Sequence, residues 1–217
     1  MSTDVQIGLS ATELLTTTRT IRRLRPDPVA VQVLTDIVAD ATCAPTASNR
    51  QNWRFIVVTD RSLVVRLGEL HASIHGNVRA FAEQVLPDGI FRSVEHLGAH
   101  FGDAPAVVLV GATDAPLGTG SVHGYRTWYA GVLPAVWSVI LAARVRGLGA
   151  TLTTTLLEGA HDEVRSLLDI PDDVVLVAAI PLGHPQGRFG RPPRNPLRDV
   201  AHLNRWGTPL DDGEPSQ

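Results

Sequence analysis

Apolar positions along the chain fall into short runs of strand character separated by helical spacings. Residues 53–59 (WRFIVVT), 104–112 (APAVVLVGA) and 174–182 (VVLVAAIPL) are strand-length apolar runs rich in β-branched side chains. Residues 152–156 read as a further strand. Ser10 with Glu13 has capping-box spacing and predicts a helix reaching about Thr18. Asp27-Pro28 reads as an N-cap with proline at the first helical position, and Val33, Leu34, Ile37, Val38 and Ala41 follow at helical spacing. Helical stretches are predicted over 61–71 and 77–86, then a long, largely apolar and central helix over 125–146 that Gly147 and Gly149 end. An amphipathic helix is predicted over 158–168.

Two segments lack core periodicity. Residues 113–124 hold three glycines and Pro116, a loop long enough to act as a lid or to contact substrate. From Gly183 onward proline and arginine crowd together, as in a tail that drapes over a neighbour. No repeat and no dividing linker is visible, so residues 1–217 are expected to form a single domain of α+β class with an extended tail over 183–217.

Composition narrows the possibilities. A length of 217 residues suits one domain, and a net charge of −3 lacks the basic excess of a nucleic-acid binder. Cys43 stands alone, so no intrachain disulfide can form, and its place in an apolar helical pattern predicts core packing. No apolar run approaches the roughly 18 residues of a membrane span. A cytoplasmic protein without membrane or nucleic-acid partners is therefore expected. All 19 basic residues are arginine. The absence of lysine excludes lysine Schiff bases and the Walker A motif, and leaves arginine to grip phosphate.

Familiar catalytic constellations are missing. His71/His75 and His96/His100 have i, i+4 spacing, but neither pair forms HExxH, and no metal is expected. GxSxG does not occur. Gly147-Leu148-Gly149 is followed by Leu152 where a dinucleotide fingerprint needs its third glycine. Three polar clusters remain: Arg19-Thr20-Ile21-Arg22-Arg23-Leu24-Arg25, the amide-rich stretch over 44–53, and Arg188, Arg191 and Arg194. Arginines with a hydroxyl suit a phosphate, and Asn or Gln can read a heterocycle edge. Together they describe a ligand like flavin mononucleotide, held without a protein nucleophile.

At these residues the chain resembles the nitroreductase family of FMN-dependent oxidoreductases. The family pattern near R-R-S-x-R-x-F reads here Thr18-Arg19-Thr20-Ile21-Arg22-Arg23-Leu24. The pattern near A-P-S-x-x-N-x-Q-P-W-x-F reads Ala44-Pro45-Thr46-Ala47-Ser48-Asn49-Arg50-Gln51-Asn52-Trp53-Arg54-Phe55. Ala-Arg-x-x-Gly-Leu-Gly over 143–149, Pro-Leu-Gly-His over 181–184 and Arg-x-Pro at 194–196 follow in family order. Thr18, Thr20, Asn52 and the Trp137-Ser138 pair depart from the pattern.

The resemblance implies a nitroreductase-like fold with a central, mostly antiparallel sheet flanked by helices, and a homodimer with FMN at the interface. It implies Arg19, Thr20, Arg22 and Arg194 at the phosphate and ribityl chain. Thr46, Asn49 and Gln51 would come from the partner subunit, and Asn77 would read the pyrimidine edge. The backbone of Leu152, Thr153 and Thr154 would lie against the isoalloxazine, with an N–H aimed at N5. NADPH or NADH would reduce the flavin, which would then reduce a nitroaromatic or quinone. No side chain is expected to be catalytic, since the flavin carries the chemistry. Storage of FMN, reductive dehalogenation and flavin fragmentation are the alternatives on the same fold.

Overall fold

A computed structural model describes residues 8–116 and 122–210. The tip of the 113–124 loop and the last residues of the tail lie outside the described residues. In chain order the elements begin with α1 (Ala11–Thr17), β1 (Leu24–Arg25), α2 (Val31–Ala41), β2 (Trp53–Val58), α3 (Arg61–Val85) and α4 (Asp88–His100). They continue with β3 (Ala106–Ala112), α5 (Val122–Val145), β4 (Gly149–Ala150), α6 (Thr155–Gly159), α7 (His161–Leu167), β5 (Val175–Pro185) and α8 (Leu197–Val200).

The strands form one antiparallel sheet in the order β1-β5-β3-β2, with β4 also on β5. Period-two alternation decides which side chain meets which helical layer. Along β3, Ala106, Val108, Val110 and Ala112 pack with α2 and α5, while Val107 and Leu109 pack with α3, α4, α6 and α7. Along β5, Leu176 joins the second core but Ala178, Ile180 and Leu182 join the first. A bulge between Val110 and Gly111 of the partner strand leaves Val177 as the extra residue and reverses the phase.

Several expectations need correcting. Helix α2 starts at Val31 behind Ala30, so Asp27 and Pro28 lie before it and Asp27 pairs with Arg25 at 3.3 Å. Cys43 is exposed, two residues beyond the end of α2, and does not pack in the core. The two helical stretches predicted over 61–71 and 77–86 are one helix, α3. Packing of Val64, Leu67, Leu70 and Ile74 on the sheet outweighs the roughly 1 kcal/mol cost of Gly76 in its middle. The strand expected over 152–156 shrinks to a single bridge, Thr153 to Ala179, before α6 begins. The predicted 158–168 helix is two short ones, broken at Ala160.

The basic loop contains β1, and the last strand runs on to Pro185, so the tail begins later than Gly183. Helix α5 is long and apolar enough to cross a membrane by composition, against expectation, but 56% of that window is buried and its inner face forms the first core. The tail is pinned to its own chain where Gln186 donates to the Arg23 and Leu24 carbonyls, and where the Arg144 guanidinium lies 3.7 Å above the Phe189 ring.

Candidate functional site

The site grows from the free side of the β4–β5 pair. Ile21 N–H donates to Ala150 carbonyl at 3.0 Å, and Thr151 Oγ1 donates to Ile21 carbonyl at 2.6 Å. This pairing needs Gly149, because a Cβ there would stand 2.7 Å from Ile21 Cγ2. It delivers the next residue, Arg22, beside the 151–155 segment. Thr151 and Thr153 donate to Pro181 and Ala179 carbonyls at 3.2 and 3.0 Å. The N–H groups of Leu152 and Thr154 take no part in this pairing, and Thr154, the N-cap of α6, already has φ of −108° and ψ of −11°. They have no partner among the described residues.

Across from them stand α3 and α4. His71, His75, Val94 and Leu97 complete a cavity of about 260 Å³ with Arg22 and the 151–155 segment. Arg22 is half-buried, and its Nη1 donates only to Ser93 Oγ, at 3.4 Å. Among the described residues no carboxylate pairs with it, and partial burial lowers its pKa below the ordinary guanidinium value. A desolvated cation without a counter-ion is a place for an anion.

The histidine wall is ordered by stacking. His71 is 2% exposed and stacks on Phe101 at 4.6 Å between centroids. His75 Nε2 lies 2.7 Å from Glu95 Oε1, and Arg79 Nε donates to the other carboxylate oxygen at 2.7 Å. Those two bonds, Arg79's first, hold the Glu95 carboxyl below its usual range. Gly98 lets the His75 ring lie flat, since a Cβ there would fall 2.2 Å from ring Cδ2. Burial, helped by neighbouring His75, lowers His71 to about 4, so it is neutral at physiological pH. Among the described residues no group of three or more His, Cys, Asp or Glu could hold a metal.

The structure thus brings Arg22, Leu152, Thr153 and Thr154 into one cavity. Arg19 and Thr20 precede Arg22 on an exposed strand of chain. Arg194 is exposed, does not line the cavity, and donates to the carbonyl of Pro193. Asn77 is exposed on α3 and does not line it either. At about 100° per residue, a position six beyond His71 points about 120° away from it.

Thr46, Asn49 and Gln51 sit elsewhere, on a tight loop where Ser48, Asn49 and Gln51 have φ of 54°, 53° and 50°. Gln51 N–H donates to Thr46 Oγ1 at 3.2 Å, and Gln51 Nε2 to Asn49 Oδ1 at 3.0 Å. Asn52, at the family's proline position, donates to Thr113 carbonyl, which Trp128 Nε1 also reaches at 2.8 Å. A second cavity opens beside this loop between Arg50, Asp114, His123 and Trp128.

Antiparallel sheet, two helical layers and this edge cavity define an α+β protein of nitroreductase type. The sequence model of the Nitroreductase family matches residues 15–184, and the chain belongs to that family. A Methanothermobacter thermautotrophicus protein with a provisional NADH dehydrogenase/NAD(P)H nitroreductase name is 29% identical over 196 residues, 89% of this chain and 86% of that one. The 5,6-dimethylbenzimidazole synthase of Rhodospirillum rubrum is 30% identical over 172 residues, 77% of this chain and 78% of that one. The crystal structure of oxidized iodotyrosine deiodinase, bound to FMN and 3-iodo-L-tyrosine, matches with a TM-score of 0.65 at 22% identity, over 91% of this chain and 98% of that one.

Sequence reasoning missed His71 and His75 as cavity residues. Their i, i+4 spacing was visible, and it signalled a shared helix face, but the face's destination depends on α4.

Proposed function

We propose that the protein binds FMN between two copies of this chain and acts as an NAD(P)H-dependent oxidoreductase on an electrophilic small molecule such as a nitroaromatic or quinone. One observation carries the reading: the unpaired N–H groups of Leu152 and Thr154 share a cavity with an uncompensated Arg22. The N–H groups suit ring acceptors and the guanidinium suits a phosphate, so the residues present fit FMN.

Bound FMN would supply the redox chemistry, taking hydride from the nicotinamide and passing it to the acceptor. The chain's part is to bind and orient. The backbone of Leu152 and Thr154 donates along the ring edge, and the Thr153 bridge to Ala179 of β5 keeps those donors preorganised. Arg19, Thr20 and Arg22 hold the phosphate and ribityl chain, while Arg194, exposed and outside the cavity, is assigned there by the family resemblance alone. No side-chain acid or base is required at the reacting atoms.

Size and surface support the dimer. About 260 Å³ is less than the roughly 300–1,000 Å³ of a complete ligand pocket, so a second wall is needed. Tyr129, Leu133 and Trp137 form an i, i+4, i+8 stripe on α5, each 43–46% exposed, and Leu203 and Trp206 in the tail are also exposed. Burying these apolar faces between copies would bring Thr46, Asn49 and Gln51 of one chain toward the flavin of the other. The relatives' names span several reactions, so the acceptor is proposed only as a class.

Equilibrium titration of the apoprotein with FMN and riboflavin tests the reading. FMN is expected to bind at least about tenfold tighter, since only it offers a phosphate to the arginines. Equal affinities, or none, contradict it.

A further inference from the structure

The cavity wall holds two polar atoms that nothing among the described residues uses. His71 is 2% exposed, yet neither Nδ1 nor Nε2 has a hydrogen-bond partner. Buried polar groups in folded proteins are nearly always paired, so an orphan in a cavity wall points to a partner that arrives with the occupant. The ring cannot easily turn away to find another. It is stacked between Phe101 and His75, with interplanar angles of 17° and 13°. His75 is fixed in turn by Glu95, and Glu95 by Arg79.

Protonation gives the ring its chemistry. A neutral imidazole offers one N–H donor and one acceptor nitrogen. No carboxylate bonds to His71. Arg22 shares the cavity with it, Glu95 is engaged by His75 and Arg79, and burial disfavours a second proton on the ring. The neighbouring 151–155 segment contributes only hydroxyls and backbone.

We propose that His71 is a ligand-contacting residue of this cavity, one of its unpaired ring nitrogens hydrogen-bonding the polar edge of the bound heterocycle. The assignment rests on the cavity being the flavin site. It gives His71 the part that the family resemblance had given Asn77, and it makes His75, with Glu95, a positioning pair that sets the ring's tilt.

The test separates binding from packing. His71→Phe keeps a ring against Phe101 and removes both nitrogens, while His71→Gln restores a donor and an acceptor without the ring. Apoprotein of each is titrated with FMN by fluorescence quenching, and thermal midpoints are recorded without ligand. His71→Phe is expected to bind FMN about tenfold more weakly, the loss of one neutral hydrogen bond. Its unliganded midpoint should be no lower than wild type, because no bond is lost and two orphans disappear. His71→Gln should recover part of the affinity.

His71→Phe binding FMN within about twofold of wild type overturns the proposal while leaving the flavin site standing. A fall in midpoint together with affinity overturns it too, by assigning His71 to packing. Wild-type protein that ignores FMN removes the reading beneath both.

Discussion

Arg22→Ala gives the sharpest perturbation of the site, because its effects on the free and loaded protein have different signs. In the free chain the guanidinium is half-buried, donates one long hydrogen bond to Ser93, and faces no carboxylate among the described residues. Its lowered pKa reflects lost hydration without compensation. Removing it should leave unliganded stability within about 0.5 kcal/mol of wild type or raise it. In the FMN complex the same group makes a charge-assisted hydrogen bond to phosphate, worth about 1.5–3 kcal/mol. Affinity should therefore fall roughly 10- to 150-fold. Arg25→Ala is the control: Arg25 is exposed and paired with Asp27, and its loss should change affinity by less than about twofold. Fluorescence titration gives the affinities, and thermal melts with and without FMN give the stabilities, since ligand stabilisation shrinks as Kd rises. Equal affinities for the two variants would refute the phosphate assignment. So would a loss of more than about 1 kcal/mol in the free protein, which would make Arg22 structural.

Other expectations follow from single contacts. His71 has a folded pKa of about 4 against 6.5 unfolded, so between these values only the unfolded chain takes the proton; stability is full above pH 6.5 and falls by up to roughly 3 kcal/mol toward pH 4. Urea unfolding should show this loss in wild type and less of it in His71→Phe; identical pH profiles would contradict it. Gly98→Ala forces a Cβ to 2.2 Å from the His75 ring and should cost about 1–3 kcal/mol, whereas Gly76→Ala meets nothing and should stabilise by up to about 1 kcal/mol in melts. Leu133→Glu on the exposed α5 stripe should shift sedimentation toward monomer and weaken FMN binding; an unchanged dimer would place the interface elsewhere.

The legible parts of the fold were those where local pattern and tertiary fate coincide. The apolar runs of β3 and β5 showed buried strands. The Val177 bulge was not visible, because it depends on registration against Val110 and Gly111. The Asp27-Pro28 cap did not form, since α2 begins only at Val31. At the site, Arg22 stood out in the basic cluster, whereas the 152–154 segment came only from the family resemblance. His71 was not: its burial depends on Phe101 and α4, which are distant in sequence. Asn77 looked suitable by residue type, but the phase of α3 turns it outward.

Anaerobic visible spectroscopy of the FMN-loaded protein tests the central claim most directly. NADPH or NADH is added first, and a quinone after the spectrum has settled. Bleaching of the oxidised flavin bands by one of the nucleotides, followed by their return with quinone, is the predicted result. A flavin spectrum that persists through addition of both nucleotides would contradict the oxidoreductase reading and favour storage of the cofactor.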